Sequence, residues 1–111
     1  MEYTIKSRIW IESQDGVFLG EGRVRLLKAI SKQGSLSKAA SSLDMSYKKA
    51  WNLLDSMNKT AKQPLVITAT GGKGGGGAKL TEYGEKVIDT FESINKRCWE
   101  FLDKELKQVS I

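Results

Sequence analysis

Residues 35–62 contain two short helical patterns in close succession, which few folds can accommodate. Ser35 and Ser46 are good N-caps for two successive helices, because a serine hydroxyl accepts a hydrogen bond from a free backbone N–H at a helix start. Asp44 lies in the short connection, where a helix-turn-helix usually carries glycine and where aspartate tolerates unusual backbone angles. The segment 35–62 therefore predicts a helix-turn-helix.

Apolar side chains recur at helical spacing on one face of both helices. The adjacent Ala39 and Ala40 allow the close approach that two steeply crossing helices need. Pro64 disfavours helical geometry in the residue before it, so we expect the second helix to run to about Lys62. Trp51 is expected in the core or as a support for this helix. The inward face is completed by Leu36, Leu43, Met45, Ala50, Leu53, Leu54 and Met57.

Five side chains point outward at the start of the second helix: Ser46, Tyr47, Lys48, Lys49 and Asn52. In a helix-turn-helix these N-terminal positions face the major groove of DNA. Asparagine can bond adenine, lysine can reach guanine or phosphate, and tyrosine and serine can bond phosphates or base edges. We predict these five as DNA contacts, together with Ser35 and Ser37. Alternatively, the lysines are only solvated and Tyr47 lies against Trp51.

A glycine-rich segment follows, with strand-like residues 65–70 before it and Lys79-Leu80 after it. Gly72, Gly74 and Gly77 match G-x-G-x-x-G, but a dinucleotide site also needs a second parallel strand after the helix. A phosphate-binding P-loop needs Gly-Lys followed by Ser or Thr, which is absent. We predict a wing over residues 65–80 that approaches a DNA backbone through Lys73, Gly74, Gly75 and Lys79. The alternative is a flexible surface loop.

Both ends of the chain also carry regular patterns. Residues 4–13 alternate as in a strand, with Ile5, Ser7, Ile9 and Ile11 on one side, and residues 17–19 can return after a turn. Helical spacing runs from about Arg23 to Lys32. Thr81 caps a final helix to about Lys107 that extends roughly 40 Å. Its apolar stripe predicts a dimer seam or, alternatively, a core helix with a frayed end: Val87, Ile88, Phe91, Ile94, Cys98, Trp99, Phe101, Leu102 and Leu106.

Composition excludes several classes of function. The 111 residues fit one domain, and no stretch approaches the about 18 apolar residues of a membrane span. With no histidine and one cysteine, the chain lacks the commonest general base and metal ligand, so we expect no enzyme, cofactor or metal. Residues 21–62 hold nine Lys/Arg against three Asp/Glu, a net of +6, which suits a phosphate-binding surface or a merely solvated basic face.

The order strand–strand–helix–helix–helix–strand–loop–strand–helix predicts a mainly α fold with small β-hairpins (α+β). We expect a winged helix-turn-helix as a single domain over residues 1–111, with a helix-turn-helix at 35–62, a wing at 65–80 and a dimerisation helix at 81–107. Two-fold symmetry would place two recognition helices on a palindromic site. We expect a soluble, cytoplasmic and nucleoid-associated homodimer that binds double-stranded DNA.

Beyond this pattern, the chain resembles the N-terminal domain of the molybdate-responsive ModE regulators, within the LysR-like winged helices. The resemblance covers about residues 20–90. It is carried by G-S-L-S at 34–37, Ala39-Ala40, M-S-Y-K at 45–48, Ala50-Trp51, Met57-Asn58, P-L-V at 64–66, the glycine-rich run at 70–78, Leu80-Thr81 and Gly84. It implies a dimeric transcription regulator with Ser46 to Lys49 on the recognition helix and Lys73 in the wing. The family binds molybdate through C-terminal modules, which we do not expect in this chain, so molybdate sensing is not carried over.

Two other functions stay open from the sequence. The chain can be a non-specific architectural DNA-binding protein, or a protein–protein interaction module in which the last helix dimerises and the basic face meets an acidic partner. An enzyme of nucleic acid or oxyanion metabolism is disfavoured because no pair of carboxylates is suitably placed.

Overall fold

The computed structural model describes residues 2–69 and 76–111 of the chain. These residues form two antiparallel hairpins and four helices in the predicted order, which confirms a mainly α winged helix fold with small β-hairpins. The elements are β1 (Trp10–Ser13), β2 (Gly16–Gly20), α1 (Glu21–Gln33), α2 (Leu36–Ser42), α3 (Tyr47–Thr60), β3 (Val66–Thr68), β4 (Ala78–Leu80) and α4 (Glu82–Lys107).

Side-chain caps determine where three of the helices begin. The hydroxyls of Ser35, Ser46 and Thr81 accept hydrogen bonds at 2.9–3.1 Å from the backbone N–H three residues later, which satisfies donors that have no partner inside the helix. Between α2 and α3, Asp44 has φ 53°. Aspartate thus takes the left-handed conformation that glycine usually supplies in this turn, as predicted.

The hydrophobic core joins α1, α2, α3 and the β3–β4 hairpin to the first turns of α4. In the described chain every buried side chain lies between Leu19 and Phe91. Ala39 and Ala40 are among them, so small side chains lie where α2 packs closely against its neighbours. We call residues 10–91 the body of the molecule.

The β3–β4 hairpin is bound to the body at both strands. Asn58, near the end of α3, accepts a hydrogen bond from the N–H of Leu65 at 2.8 Å and donates one to the carbonyl of Val66 at 3.2 Å. The N–H of Ala78 donates to the carbonyl of Gly34 at 3.0 Å, at the end of α1. The hairpin is therefore held at a defined position beside α3.

The second half of α4 leaves the body. No described residue after Phe91 is buried. The extended segment 2–9 lies along this part of α4: Ser7 Oγ is 3.7 Å from Cys98 Sγ, and Tyr3 and Leu106 line one depression. We call residues 2–9 and 92–107 the arm. The molecule accordingly measures 61 × 29 × 23 Å.

The structure differs from the sequence predictions in three details. The first strand begins at Trp10 and not at residue 4, because residues 2–9 lie along α4 rather than beside another strand. The helix α3 ends at Thr60, before Lys62. Trp51 is 49% exposed and so does not belong to the core. No helix in the described ranges combines the length and apolar character that crossing a membrane requires.

Candidate nucleic-acid interface

The helix α3 exposes two strips of different chemistry. Its buried face, with Ala50, Leu54 and Met57, packs into the core and fixes the orientation of the helix. One exposed strip is polar and carries Lys48 and Asn52, which are one helical turn apart. The neighbouring strip is aromatic and carries Tyr47 and Trp51, 56% and 49% exposed. An incoming ligand would meet both strips together.

The aromatic strip borders a cleft of about 620 Å³ between α3 and the β3–β4 hairpin. We call it the wing-side cleft. Its other walls are Ser35 and Ser37 at the start of α2 and Thr68 in β3. The structure thus brings three predicted DNA contacts, Ser35, Ser37 and Tyr47, to one concave surface. Trp51 and Thr68 are additions that the sequence interpretation did not include.

A second, shallower depression of about 400 Å³ lies on the opposite side of α3. We call it the basic depression. Four predicted contacts meet there, namely Ser46, Lys48, Lys49 and Asn52, and they are joined by Arg23 from α1. The predicted residues of α2 and α3 therefore divide between two concave surfaces on either side of one helix.

Arg23 is the charged residue that sequence reasoning missed. Its Nη1 donates a hydrogen bond to Ser56 Oγ at 3.1 Å, which holds the guanidinium against α3. Burial lowers the pKa of Arg23 below its usual value, but an arginine stays protonated at neutral pH. No local pattern could have located it here, because Ser56 is 33 residues away in sequence.

Some predicted DNA contacts already bond within the protein, lie on another face of the hairpin, or fall outside the described residues. The Ser35 and Ser46 hydroxyls already cap helices. Lys79 pairs with Ile67 across the hairpin, on the face turned away from Thr68 and the wing-side cleft. Lys73, Gly74 and Gly75 lie outside the described residues.

Acidic groups near α3 are few, and one of them is paired. Asp55 Oδ2 lies 2.9 Å from Lys59 Nζ in an i,i+4 ion pair, which offsets the negative charge beside the wing-side cleft. In residues 2–69 and 76–111, no three His, Cys, Asp or Glu side chains come together in a way that could hold a metal ion.

Comparisons with known proteins agree with this arrangement. The chain is 37% identical over 98 residues to the molybdenum transport protein ModE of Azotobacter vinelandii. It is 43% identical over 84 residues to the DNA-binding transcriptional dual regulator ModE of Escherichia coli K12. It is 41% identical over 96 residues to the molybdenum-pterin-binding protein MopB of Rhodobacter capsulatus.

These matches cover 88%, 76% and 86% of this chain but 36%, 32% and 36% of the respective relatives. The chain thus spans about a third of the length of the curated relatives it matches, in their N-terminal part. The family model of the bacterial regulatory helix-turn-helix proteins of the LysR family matches residues 22–85, which include α1 to α3 and the β3–β4 hairpin. The chain therefore belongs to the LysR family of bacterial regulatory helix-turn-helix proteins.

Proposed function

We propose that this chain is a sequence-specific, DNA-binding transcription regulator that acts as a homodimer, with α3 in the major groove. The observation that carries the proposal is the exposed polar strip of α3, Lys48 and Asn52, beside a depression lined by Arg23 and Lys49. Asparagine and lysine are side chains that distinguish base edges, and the surrounding cations would neutralise phosphates. The regulator names of the ModE relatives support the same function.

Each predicted contact has a role in this proposal. Tyr47, Lys48 and Asn52 contact bases, and Lys49 and Arg23 bind phosphates. Ser37, at the start of α2, donates to the DNA backbone. Ser35 and Ser46 position α2 and α3 by capping them, and the backbone N–H groups at the starts of these two helices lie near the DNA. The hairpin is the wing, and Lys73, Gly74, Gly75 and Lys79 approach the sugar-phosphate backbone. The proposal includes a cytoplasmic, nucleoid-associated location and no cofactor.

The arm supports the homodimer. Ile94, Trp99 and Phe101 on α4 are 42%, 40% and 61% exposed, and they flank the strip of α4 that segment 2–9 covers. Covering large apolar side chains is favourable, at about 1.5–3 kcal/mol for each fully buried one. A second copy offers the same surface, and its two-fold symmetry matches a palindromic operator.

Selection of bound duplexes from a random DNA pool, at about 150 mM salt, tests this function. Enrichment of a palindrome supports a dimeric, sequence-specific regulator. Binding without enrichment would indicate an architectural DNA-binding protein, and no binding would indicate a protein–protein interaction module. The matched variants are Asn52→Ala, expected to change the preferred sequence, and Lys73→Ala, expected to weaken all duplexes about equally.

A further inference from the structure

We propose that Tyr47 and Trp51 each contact the 5-methyl group of a thymine, and that these two contacts determine a thymine preference next to the bases contacted by Lys48 and Asn52. The inference rests on the proposed binding of α3 in the major groove. It assigns the aromatic strip a ligand of defined chemistry.

The exposure of the two rings is unusual for their surroundings. Throughout residues 21–65, all of which the structure describes, Tyr47 and Trp51 are the only large hydrophobic side chains exposed to solvent. The other large apolar side chains of this segment are buried or packed against the core. Exposed large apolar groups that lie together, rather than singly, indicate a contact surface.

The charges beside the rings identify the occupant as DNA. Lys48 lies on the adjacent strip, and Arg23 and Lys49 line the basic depression across the helix. The segment 21–62 carries a net charge of +6. A purely apolar peptide would gain nothing from these cations, whereas a duplex presents phosphates on both sides of its major groove.

Thymine is the base that matches an aromatic ring in this groove. It alone carries an apolar group, the 5-methyl, at the major-groove edge, and apolar side chains contact that methyl. Asparagine bonds adenine through N6 and N7. Asn52 and the aromatic strip together would therefore favour A·T base pairs.

The spacing of the rings fits successive base pairs. Tyr47 and Trp51 are four residues apart on α3, about 6 Å along its axis at a rise of about 1.5 Å per residue. Base pairs are stacked at about 3.4 Å. The two rings would therefore contact methyl groups on base pairs about two steps apart.

Replacement of single thymines by deoxyuridine tests this site, because it removes only the methyl group. The probe is the duplex most enriched from the random pool, with each thymine replaced in turn. The wild-type chain should lose about fourfold in affinity for each contacted methyl, the factor expected for burying one such group. Trp51→Ala and Tyr47→Ala should bind the thymine and deoxyuridine duplexes equally at their respective positions, whereas Tyr47→Phe should keep the discrimination.

Trp10→Ala is the matched control, because Trp10 is 53% exposed on β1 and does not line the wing-side cleft. This variant should discriminate as the wild type does. The inference alone is overturned if deoxyuridine is tolerated at every position of an enriched duplex. It is also overturned if Trp51→Ala and Tyr47→Ala lower affinity without changing the thymine-to-deoxyuridine ratio. If no duplex is enriched, the proposed sequence-specific function fails, and the inference fails with it.

Discussion

The body and the arm of this molecule bury their apolar side chains in different ways. In the body, helices and hairpins enclose a common core, in which Leu26, Leu27 and Ile30 of α1 are fully buried. In the arm, one helix and one extended segment lie side by side, and the residues between them are half-buried at most. Large side chains such as Trp99 and Phe101 stay exposed there.

The difference supports the proposed homodimer. The body has a core of its own, and the buried face of α3 packs into that core. In the arm, the amphipathic helix α4 extends beyond the core of the body. Its exposed apolar side chains would be covered by contact with another surface. We infer that one chain supplies a recognition helix and that a second copy completes the arm.

The largest expected effect comes from opening a cavity in the body. Leu27→Ala should lower the free energy of unfolding by about 2–5 kcal/mol, because Leu27 is fully buried and the surrounding helices cannot close the space. The same change at the half-buried Leu106 of the arm should cost about 1 kcal/mol. Urea unfolding at one protein concentration measures both, and equal costs would contradict the division into body and arm.

The packing of the first turn of α4 inside the body depends on Gly84. A Cβ at this position would lie 2.3 Å from the carbonyl oxygen of Leu65 and 2.8 Å from Leu80 Cδ1. Gly84→Ala should therefore destabilise the protein by about 1–3 kcal/mol, since the start of α4 must shift away from Leu65 and Leu80. Gly22→Ala is the control, because its Cβ would meet nothing within 4 Å in α1. Thermal unfolding should show a loss at Gly84 only; an equal response at Gly22 would refute the close packing.

A smaller effect is expected where the hairpin joins α3. Asn58→Ala removes the two hydrogen bonds to Leu65 and Val66 and should cost about 1–2 kcal/mol. Asn52→Ala, on the exposed strip of the same helix, should change stability by less than about 0.5 kcal/mol. Hydrogen exchange of the Leu65 amide reports the local effect. Unchanged protection in Asn58→Ala would mean that the hairpin is positioned by other contacts.

Helix starts were the part of the fold most open to prediction from sequence. The signals are local: Ser35, Ser46 and Thr81 each cap a helix with their own hydroxyl. Of the four side chains predicted on one side of the first segment, Ile5, Ser7 and Ile9 are half-buried, whereas Ile11 is exposed. The alternation could not show that the neighbour of this segment is a helix, because a period of two residues gives the face of an extended segment and not its partner.

The remaining differences come from contacts between residues distant in sequence. The helix α3 ends at Thr60 rather than near residue 62, and the chain then turns so that Leu65 lies beside Asn58. Arg23 joins the basic depression through Ser56 of α3. For the candidate site, the outward positions of α3 followed from helical periodicity. The division into two concave surfaces depends on where the hairpin and α1 lie beside α3. Helical periodicity in the sequence does not give these positions.

Sedimentation equilibrium of the purified chain measures whether the proposed homodimer forms, with Phe101→Glu and Ser93→Glu as matched variants. Both add one negative charge to exposed positions of α4, but only Phe101 belongs to the apolar stripe. We expect twice the 12.3 kDa chain mass for the wild type and for Ser93→Glu, and a single chain mass for Phe101→Glu. A monomeric wild type, or a Phe101→Glu variant as dimeric as the Ser93→Glu control, would contradict the account.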